Sequence, residues 1–187
     1  MPFPALPTIE TERLLLRAVE ERDLPDLLAI HGDDEVTRYL SIATWTGEAD
    51  ARAWFERVDG RNKEGSGMLF AIVERGTGIV AGTCVLFRLE EESMRAEVGY
   101  ALGKAHRGRG YLQEAMTALI DYAFEELSLR RLEAEADPRN LVSDRALRRL
   151  GFTREGLLRK RWIMKGEVVD SHVYGLLREE WPARATT

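Results

Sequence analysis

The sequence predicts a mixed α/β fold in which one sheet carries helices on both sides. Short apolar runs bounded by turn residues predict strands, and they alternate with segments whose apolar residues recur at helical spacing. The strongest helical period, from Leu112 to Leu127, directly follows a basic loop rich in glycine. No repeat or low-complexity tract divides the chain, so we expect one domain over residues 1–187 with a loose tail from about Pro182.

Composition narrows the class of protein before any motif is considered. Hydrophobic residues make up 44% of the chain and charged residues 32%, which excludes disordered, fibrous and membrane-inserted proteins. No run approaches the roughly 18 apolar residues of a membrane span, and Met1–Thr11 lacks the features of a secretory signal. We therefore expect a cytoplasmic protein. A net charge of −5 disfavours nucleic acid as a partner and favours a basic or amine-bearing one.

In the first half of the chain, the predicted helices precede most of the predicted strands. Asp23 and Thr46 precede helical periods and are predicted N-caps, because their side chains can accept backbone N–H groups. The predicted elements are a strand from Leu14, a helix from Asp23 to about His31, a second helix after Asp33, a helix from Thr46 to about Lys63, and a hairpin of strands Met68–Glu74 and Ile79–Phe87.

The second half alternates strands with helices. The period that begins at Leu112 lays one apolar stripe along a helix, as in a helix packed on a sheet. Gly151 stands in the usual C-cap place of a later helix. The predicted elements are a strand Arg95–Leu102, a helix Leu112–Leu127, a strand Arg131–Ala136, a helix Leu141–Leu150, a strand from Phe152, and a closing hairpin of Lys160–Met164 and Val168–Leu176.

The loop Gly103–Leu112 joins a strand to the strongest helix. The first turn of a helix has unpaired N–H groups and a positive dipole end, so anions bind there, and Arg107 and Arg109 add positive charge. The chain lacks the Gly-Lys-Ser/Thr of a P-loop and the G-x-G-x-x-G of a dinucleotide fold. The loop therefore indicates a pyrophosphate site of another kind, with a solvated basic turn as the alternative.

Nearly the whole chain resembles the GNAT acetyltransferases, within the branch that contains the RimJ and RimL ribosomal-protein N-terminal acetyltransferases. The motifs that carry the resemblance are Thr11-Glu12-Arg13-Leu14-Leu15-Leu16-Arg17, Glu97-Val98-Gly99-Tyr100, Arg107-Gly108-Arg109-Gly110-Tyr111, Asn140-Leu141-Val142-Ser143 and Leu150-Gly151-Phe152. The resemblance implies one mixed, mostly antiparallel twisted sheet of about seven strands flanked by helices, with a V-shaped splay at the central strands. It also implies acetyl-CoA as the cofactor and an amine as the acceptor.

The resemblance assigns the cofactor to a strand end, the basic loop and a later helix. The pyrophosphate signature of the family maps to Arg107, Gly110 and Leu112, where Leu112 replaces a glycine or alanine. We expect altered packing rather than lost affinity, because backbone N–H groups bind the phosphates in this family. Asn140 is expected near the pantetheine arm, with a plain turn residue as the alternative. The implied cofactor-binding residues are Val98, Gly99, Tyr100, Leu102, Arg107, Gly108, Arg109, Gly110, Tyr111, Leu112, Asn140 and Ser143.

Glu97 and Ser143 are the expected catalytic residues. An acceptor amine is mostly protonated at neutral pH, so Glu97 is expected to take its proton, directly or through water; a plain ion pair is the alternative. Leu147 stands where many GNAT enzymes have a tyrosine that acts as the general acid. Ser143 is the implied replacement, and it is expected to act as a proton donor, as a hydrogen-bond donor or only as a helix cap. A main-chain N–H in a bulge near Gly99 is expected to bind the oxyanion.

The acceptor side is the least determined by the sequence. The resemblance implies that Tyr39, Trp45 and Trp162 line it, and a protein or peptide α-amine is the favoured acceptor. Polyamines, amino acids and aminoglycosides stay open as acceptors, as do a non-catalytic acyl-CoA-binding sensor and an interaction domain without a cofactor. The histidines are scattered, so no metal is expected, and a homodimer is one of the open oligomeric states.

Overall fold

A computed structural model describes residues 3–182, which form one eight-stranded sheet and five α-helices. The strands are β1 Ile9–Glu10, β2 Leu14–Arg17, β3 Gly67–Glu74, β4 Val80–Glu90, β5 Arg95–Leu102, β6 Arg131–Ala136, β7 Thr153–Met164 and β8 Glu167–Leu177. The helices are α1 Leu24–His31, α2 Asp34–Thr37, α3 Glu48–Glu64, α4 Tyr111–Glu125 and α5 Leu141–Arg149. The strand order is β1-β2-β3-β4-β5-β6-β8-β7, which confirms the mixed sheet.

The two faces of the sheet pack against different helices. Successive side chains of a strand point to opposite faces, and in β3 Phe70 and Ile72 join the cluster that contains α4, whereas Ala71 and Val73 join α1 and α3. The apolar stripe of α4 is fully buried from Ala115 to Phe124, and each large side chain such as Leu119 contributes about 1.5–3 kcal/mol through that burial. The prediction of helices on both sides is confirmed.

The sheet opens between β5 and β6. These strands are parallel, and only residues 95–97 pair with residues 131–133. Beyond that point residues 98–102 pair with β4 alone, while residues 134–136 pair with β8 alone. The predicted V-shaped splay is therefore confirmed, and within residues 3–182 one edge of β5 has no strand beside it in its second half.

The bulge expected near Gly99 lies elsewhere. The register between β4 and residues 97–102 of β5 is continuous, and the irregularity follows Phe87 in β4, where Arg88 has a φ of 53°. A Cβ at Gly99 would lie 3.1 Å from a methyl carbon of Val85 and 3.6 Å from the Phe87 ring, so a larger residue there would require the Val85 side chain to shift slightly.

Both predicted N-caps are corrected by the structure. The helix α3 begins after Gly47, and Thr46 donates its N–H and its hydroxyl to the Asp50 carboxylate, at 2.7 and 2.9 Å, instead of accepting from the helix. Asp23 does precede α1, but its carboxylate binds the Arg17 guanidinium at 2.7 and 2.8 Å and does not cap the helix. In both cases a nearby charged partner competes for the capping group.

The closing hairpin is longer than predicted. The strand expected from Phe152 and the strand Lys160–Met164 belong to one edge strand, β7. This strand contains a bulge at Lys160, which has a φ of 52°. The predicted loose tail after Pro182 lies outside the described residues. No helix within them is both long and apolar enough to cross a membrane.

Candidate active site

The loop between β5 and α4 presents a row of backbone N–H donors. Gly108 and Gly110 have φ values of 77° and 80°, a left-handed conformation that favours glycine. Within residues 3–182, the N–H groups of residues 108–110 donate no hydrogen bond, and the first turn of α4 leaves further N–H groups unpaired. These donors lie at the positive end of the α4 dipole, which is the geometry of an anion site.

Two cations of the loop region meet one carboxylate of α2. Arg107 Nη1 lies 2.8 Å from Glu35 Oε1, and Lys104 Nζ lies 2.5 Å from Glu35 Oε2. Lys104 and then Arg107 hold the pKa of Glu35 below its ordinary value. The positive charges of Lys104 and Arg107 therefore meet at one place, which already holds the negative charge of Glu35.

A second group of residues supports the loop from the turn between β1 and β2. Arg13 donates from Nη1 to the carbonyl oxygen of Arg109 at 2.9 Å and from Nε to Glu114 at 2.7 Å, and its guanidinium lies 5.0 Å from the Tyr111 ring centroid. The Thr11 hydroxyl donates to the same Glu114 carboxylate at 2.6 Å. The motif around residues 11–17, recognised in the sequence only as a resemblance, thus fixes the conformation of the loop.

A cleft of about 730 Å³ lies between the loop, the end of α2 and α5. Leu112, the departure from the family signature, lines the cleft and packs against the main core, so its side chain is accommodated beside the loop. Among the predicted cofactor residues, Val98, Gly99 and Arg109 do not line the cleft. Those that do are Tyr100, Leu102, Arg107, Gly108, Gly110, Tyr111, Leu112, Asn140 and Ser143.

Two hydroxyl groups meet in the wall of this cleft. The Tyr100 hydroxyl lies 2.8 Å from Ser143 Oγ, a contact that links β5 to α5 across the splay. Burial raises the pKa of Tyr100 to about 12, so this phenol stays protonated at neutral pH. Asn140 caps α5, because its Oδ1 accepts the Ser143 N–H at 3.2 Å. Leu147 is 1% exposed and belongs to the core.

Glu97 lies where β5 and β6 separate. It is three residues from Tyr100, so the two side chains project from opposite faces of β5. Its side chain is 13% exposed and accepts a hydrogen bond from Arg88 at 2.7 Å. Burial raises the pKa of Glu97, Arg88 partly offsets this, and the charges of Glu135 and Glu133 add to the rise. A carboxylate with a raised pKa is suited to proton transfer near neutral pH.

The three aromatic residues predicted for the acceptor side lie in three different places. Tyr39 lines the cleft, and Trp162 lies on β7 near Glu97 and Arg88. Trp45 is 7% exposed and packs against His31 and Trp54 in the second core, which corrects its assignment to the acceptor wall. Within the described chain, no group of three His, Cys, Asp or Glu side chains could hold a metal ion.

Comparison with known proteins identifies the family. The model of the acetyltransferase (GNAT) domain matches residues 13–153. The uncharacterized N-acetyltransferase p20 of Bacillus licheniformis is 39% identical over 174 residues, covering 93% of this chain and 98% of p20. The [ribosomal protein uS5]-alanine N-acetyltransferase of Escherichia coli (strain K12) is 26% identical over 182 residues, covering 92% of each chain.

A solved structure agrees with this assignment. The GNAT-family acetyltransferase from Bacillus anthracis superimposes with a TM-score of 0.82 at 28% identity, covering 92% of this chain and 99% of that one. Members of this family use acetyl-CoA. From the family match and these relatives, the chain is an N-acetyltransferase that belongs to the GNAT family, in its RimJ/RimL-like branch.

Proposed function

We propose that this protein transfers the acetyl group of acetyl-CoA to a primary amine by direct attack in a ternary complex, with a protein or peptide α-amine as the favoured acceptor. The observation that carries the proposal is that the anion-binding loop and Glu97 lie at the two ends of β5. Between them runs the unpaired edge of residues 98–102, so one extended ligand would meet phosphate donors first and a base last.

The residues of the cleft fit a diphosphate-bearing thioester. The free N–H groups of residues 108–110, together with Arg107 and Lys104, form a donor set for phosphates. The unpaired edge of β5 can hydrogen-bond an extended arm, and Asn140 lies in the same wall. When bound, acetyl-CoA supplies a thioester whose carbonyl carbon forms the C–N bond as its C–S bond breaks.

The side chains of this site then have distinct roles. Glu97 takes one proton from the acceptor ammonium, directly or through water, which frees the lone pair of the nitrogen. Backbone N–H groups near residues 98–100 stabilise the negative charge that develops on the carbonyl oxygen. The hydroxyl pair of Tyr100 and Ser143 donates a hydrogen bond to the departing sulfur. The sulfur gains the second proton that the nitrogen loses.

One observation supports a protein or peptide acceptor, since the relative from Escherichia coli is named for the alanine of a ribosomal protein. We infer further that the protein acts in the cytoplasm and forms one domain over residues 1–187. A small-molecule amine as acceptor and a sensor without turnover are the alternatives.

Calorimetry and a thiol-release assay test the proposal together. Acetyl-CoA is titrated into the protein, and release of free thiol is followed with peptides that have a free N-terminus, with polyamines and with amino acids. N-acetylated versions of the same peptides serve as the control. The proposal is supported if acetyl-CoA binds and thiol is released only with the peptides that have a free N-terminus. Binding without release across the panel favours the sensor, and absence of binding overturns the assignment of the loop.

A further inference from the structure

Arg88 has an unusual backbone conformation. Its φ of 53° is rare for a residue other than glycine, and the pairing of β4 with β5 shifts register between Phe87 and Glu90. Phe87 and Glu97 are direct cross-strand partners and share a face. In a regular strand the next residue, Arg88, would project from the opposite face. The bulge instead brings Arg88 onto the face of Glu97.

The guanidinium of Arg88 lies among three groups. Its Nη1 donates to Glu97 Oε2 at 2.7 Å. Its central carbon lies 5.4 Å from the ring centroid of Phe87 and 5.5 Å from that of Trp162, within range of a cation–π interaction. The Arg88 side chain is 48% exposed and that of Glu97 only 13%, so Arg88 covers the carboxylate from the solvent side.

Only one oxygen of Glu97 is used in this arrangement. Across residues 3–182, Arg88 is the only hydrogen-bond donor to Glu97, and Oε1 accepts none. The other two carboxylates near the splay have partners of their own. These are Arg95 and Arg131 for Glu133, and Arg161 and the indole N–H of Trp162 for Glu135. Each carboxylate thus has its own donor, and Arg88 is the donor of Glu97.

We propose that Arg88 is a positioning residue for acetyl transfer, which holds Oε2 of Glu97 and thereby presents Oε1 to the acceptor amine. This inference rests on the proposed role of Glu97 as the base. An N–H bond of the acceptor ammonium breaks, and its proton forms an O–H bond with Oε1. The electron pair left on nitrogen forms the C–N bond with the thioester carbonyl carbon as the C–S bond breaks, and the sulfur gains the second proton that the nitrogen loses. Without Arg88 the carboxylate loses its fixed orientation and its nearest positive charge, while burial and the neighbouring glutamates remain.

The test compares Arg88→Met, Arg88→Lys and a matched control, Arg52→Met. Arg52 lies on α3, is 61% exposed, pairs with Glu21 at 3.7 Å and does not line the cleft. The dependence of kcat/KM on pH is measured with saturating acetyl-CoA and a peptide that begins with alanine. Arg88→Met should lower kcat/KM about tenfold at neutral pH. It should also shift the acid limb of the profile, where kcat/KM falls as the pH decreases, up by about one pH unit.

The other variants sharpen the comparison. Arg88→Lys keeps the charge and should recover much of the activity, whereas Arg52→Met should match the parent protein. Acetyl-CoA affinity should stay unchanged in all three, since neither Arg88 nor Arg52 lines the cleft. A readout without turnover follows the carboxyl carbon resonance of Glu97 by NMR, assigned through its loss in Glu97→Gln. Its titration midpoint should rise by about one pH unit in Arg88→Met.

The outcomes separate this inference from the proposed function. If the NMR midpoint and the acid limb both stay in place in Arg88→Met, while Glu97→Gln abolishes the limb, the role of Arg88 is refuted and that of Glu97 stands. If Glu97→Gln keeps the parent pH profile, Glu97 is not the base and the inference fails with it.

Discussion

Acidification should destabilise this fold through one buried histidine. His31 is 3% exposed and packs against the rings of Trp45 and Trp54, with centroid distances of 4.5 and 5.7 Å. Both of its ring nitrogens are buried without a hydrogen-bond partner among the described residues. Burial lowers the pKa of His31 to about 4, because the charged imidazolium would have neither water nor a partner.

The size of the effect follows from linkage. The folded pKa lies below the unfolded value of about 6.5, so the unfolded state binds more protons between these two values. The contribution of His31 is therefore fully present above about pH 6.5 and is lost as the pH falls toward 4. From about pH 7 to about pH 4.5, the free energy of unfolding should fall by about 2–3 kcal/mol through this group, a sizeable share of a typical domain stability.

Urea unfolding followed by tryptophan fluorescence measures this loss at several pH values over the same range. His31→Phe keeps an aromatic ring among the two tryptophans and removes the titrating group, and His172→Gln is the control on β8. The difference in unfolding free energy between His31→Phe and the parent protein should grow as the pH falls, which cancels the contribution of carboxylates common to both. A difference that stays constant across the range would refute the reasoning.

Three further predictions concern the site. Arg107→Glu should weaken acetyl-CoA binding by about tenfold or more in calorimetry, because a carboxylate replaces a phosphate partner, and unchanged affinity would contradict the loop assignment. Glu35→Gln should tighten the same binding about threefold, because it releases Arg107 and Lys104 from an internal anion; weaker binding would show that Glu35 helps to form the site. Glu97→Gln should lower kcat far more than acetyl-CoA affinity, with a loss that shrinks at high pH as free amine becomes available; a loss independent of pH would argue against the base.

The elements that the sequence predicted well have their signal within a short stretch of chain. The stripe that begins at Leu112 indicated a helix that starts one residue earlier, at Tyr111, since many apolar residues repeat at one period. The strand β1 was not predicted, because two residues carry no period. The bulge was expected at Gly99 because glycine tolerates distortion, whereas the actual bulge at Arg88 has no glycine or proline to mark it.

The residues of the site also differ in how well the sequence predicted them. The loop could be predicted because its glycines and the start of its helix are adjacent in the chain. The contacts of Glu35 with the loop join residues 69 and 72 positions apart, so only the folded chain brings them together. Trp45 was placed on the acceptor side because an aromatic residue in a loop has no period to reveal which side of the fold it faces.

The separation of β5 from β6 also determines which backbone amides the solvent can reach. In residues 98–102 alternate N–H groups face the open edge, while the others are held by β4. Hydrogen–deuterium exchange should therefore be fast at every second position of this half strand and slow at residues 71–73 of β3, which pair with a strand on each side. A ligand that occupies the opening would slow the exposed set alone. Slowed exchange at these alternate amides would therefore report that a ligand occupies the opening, whatever amine the enzyme acetylates.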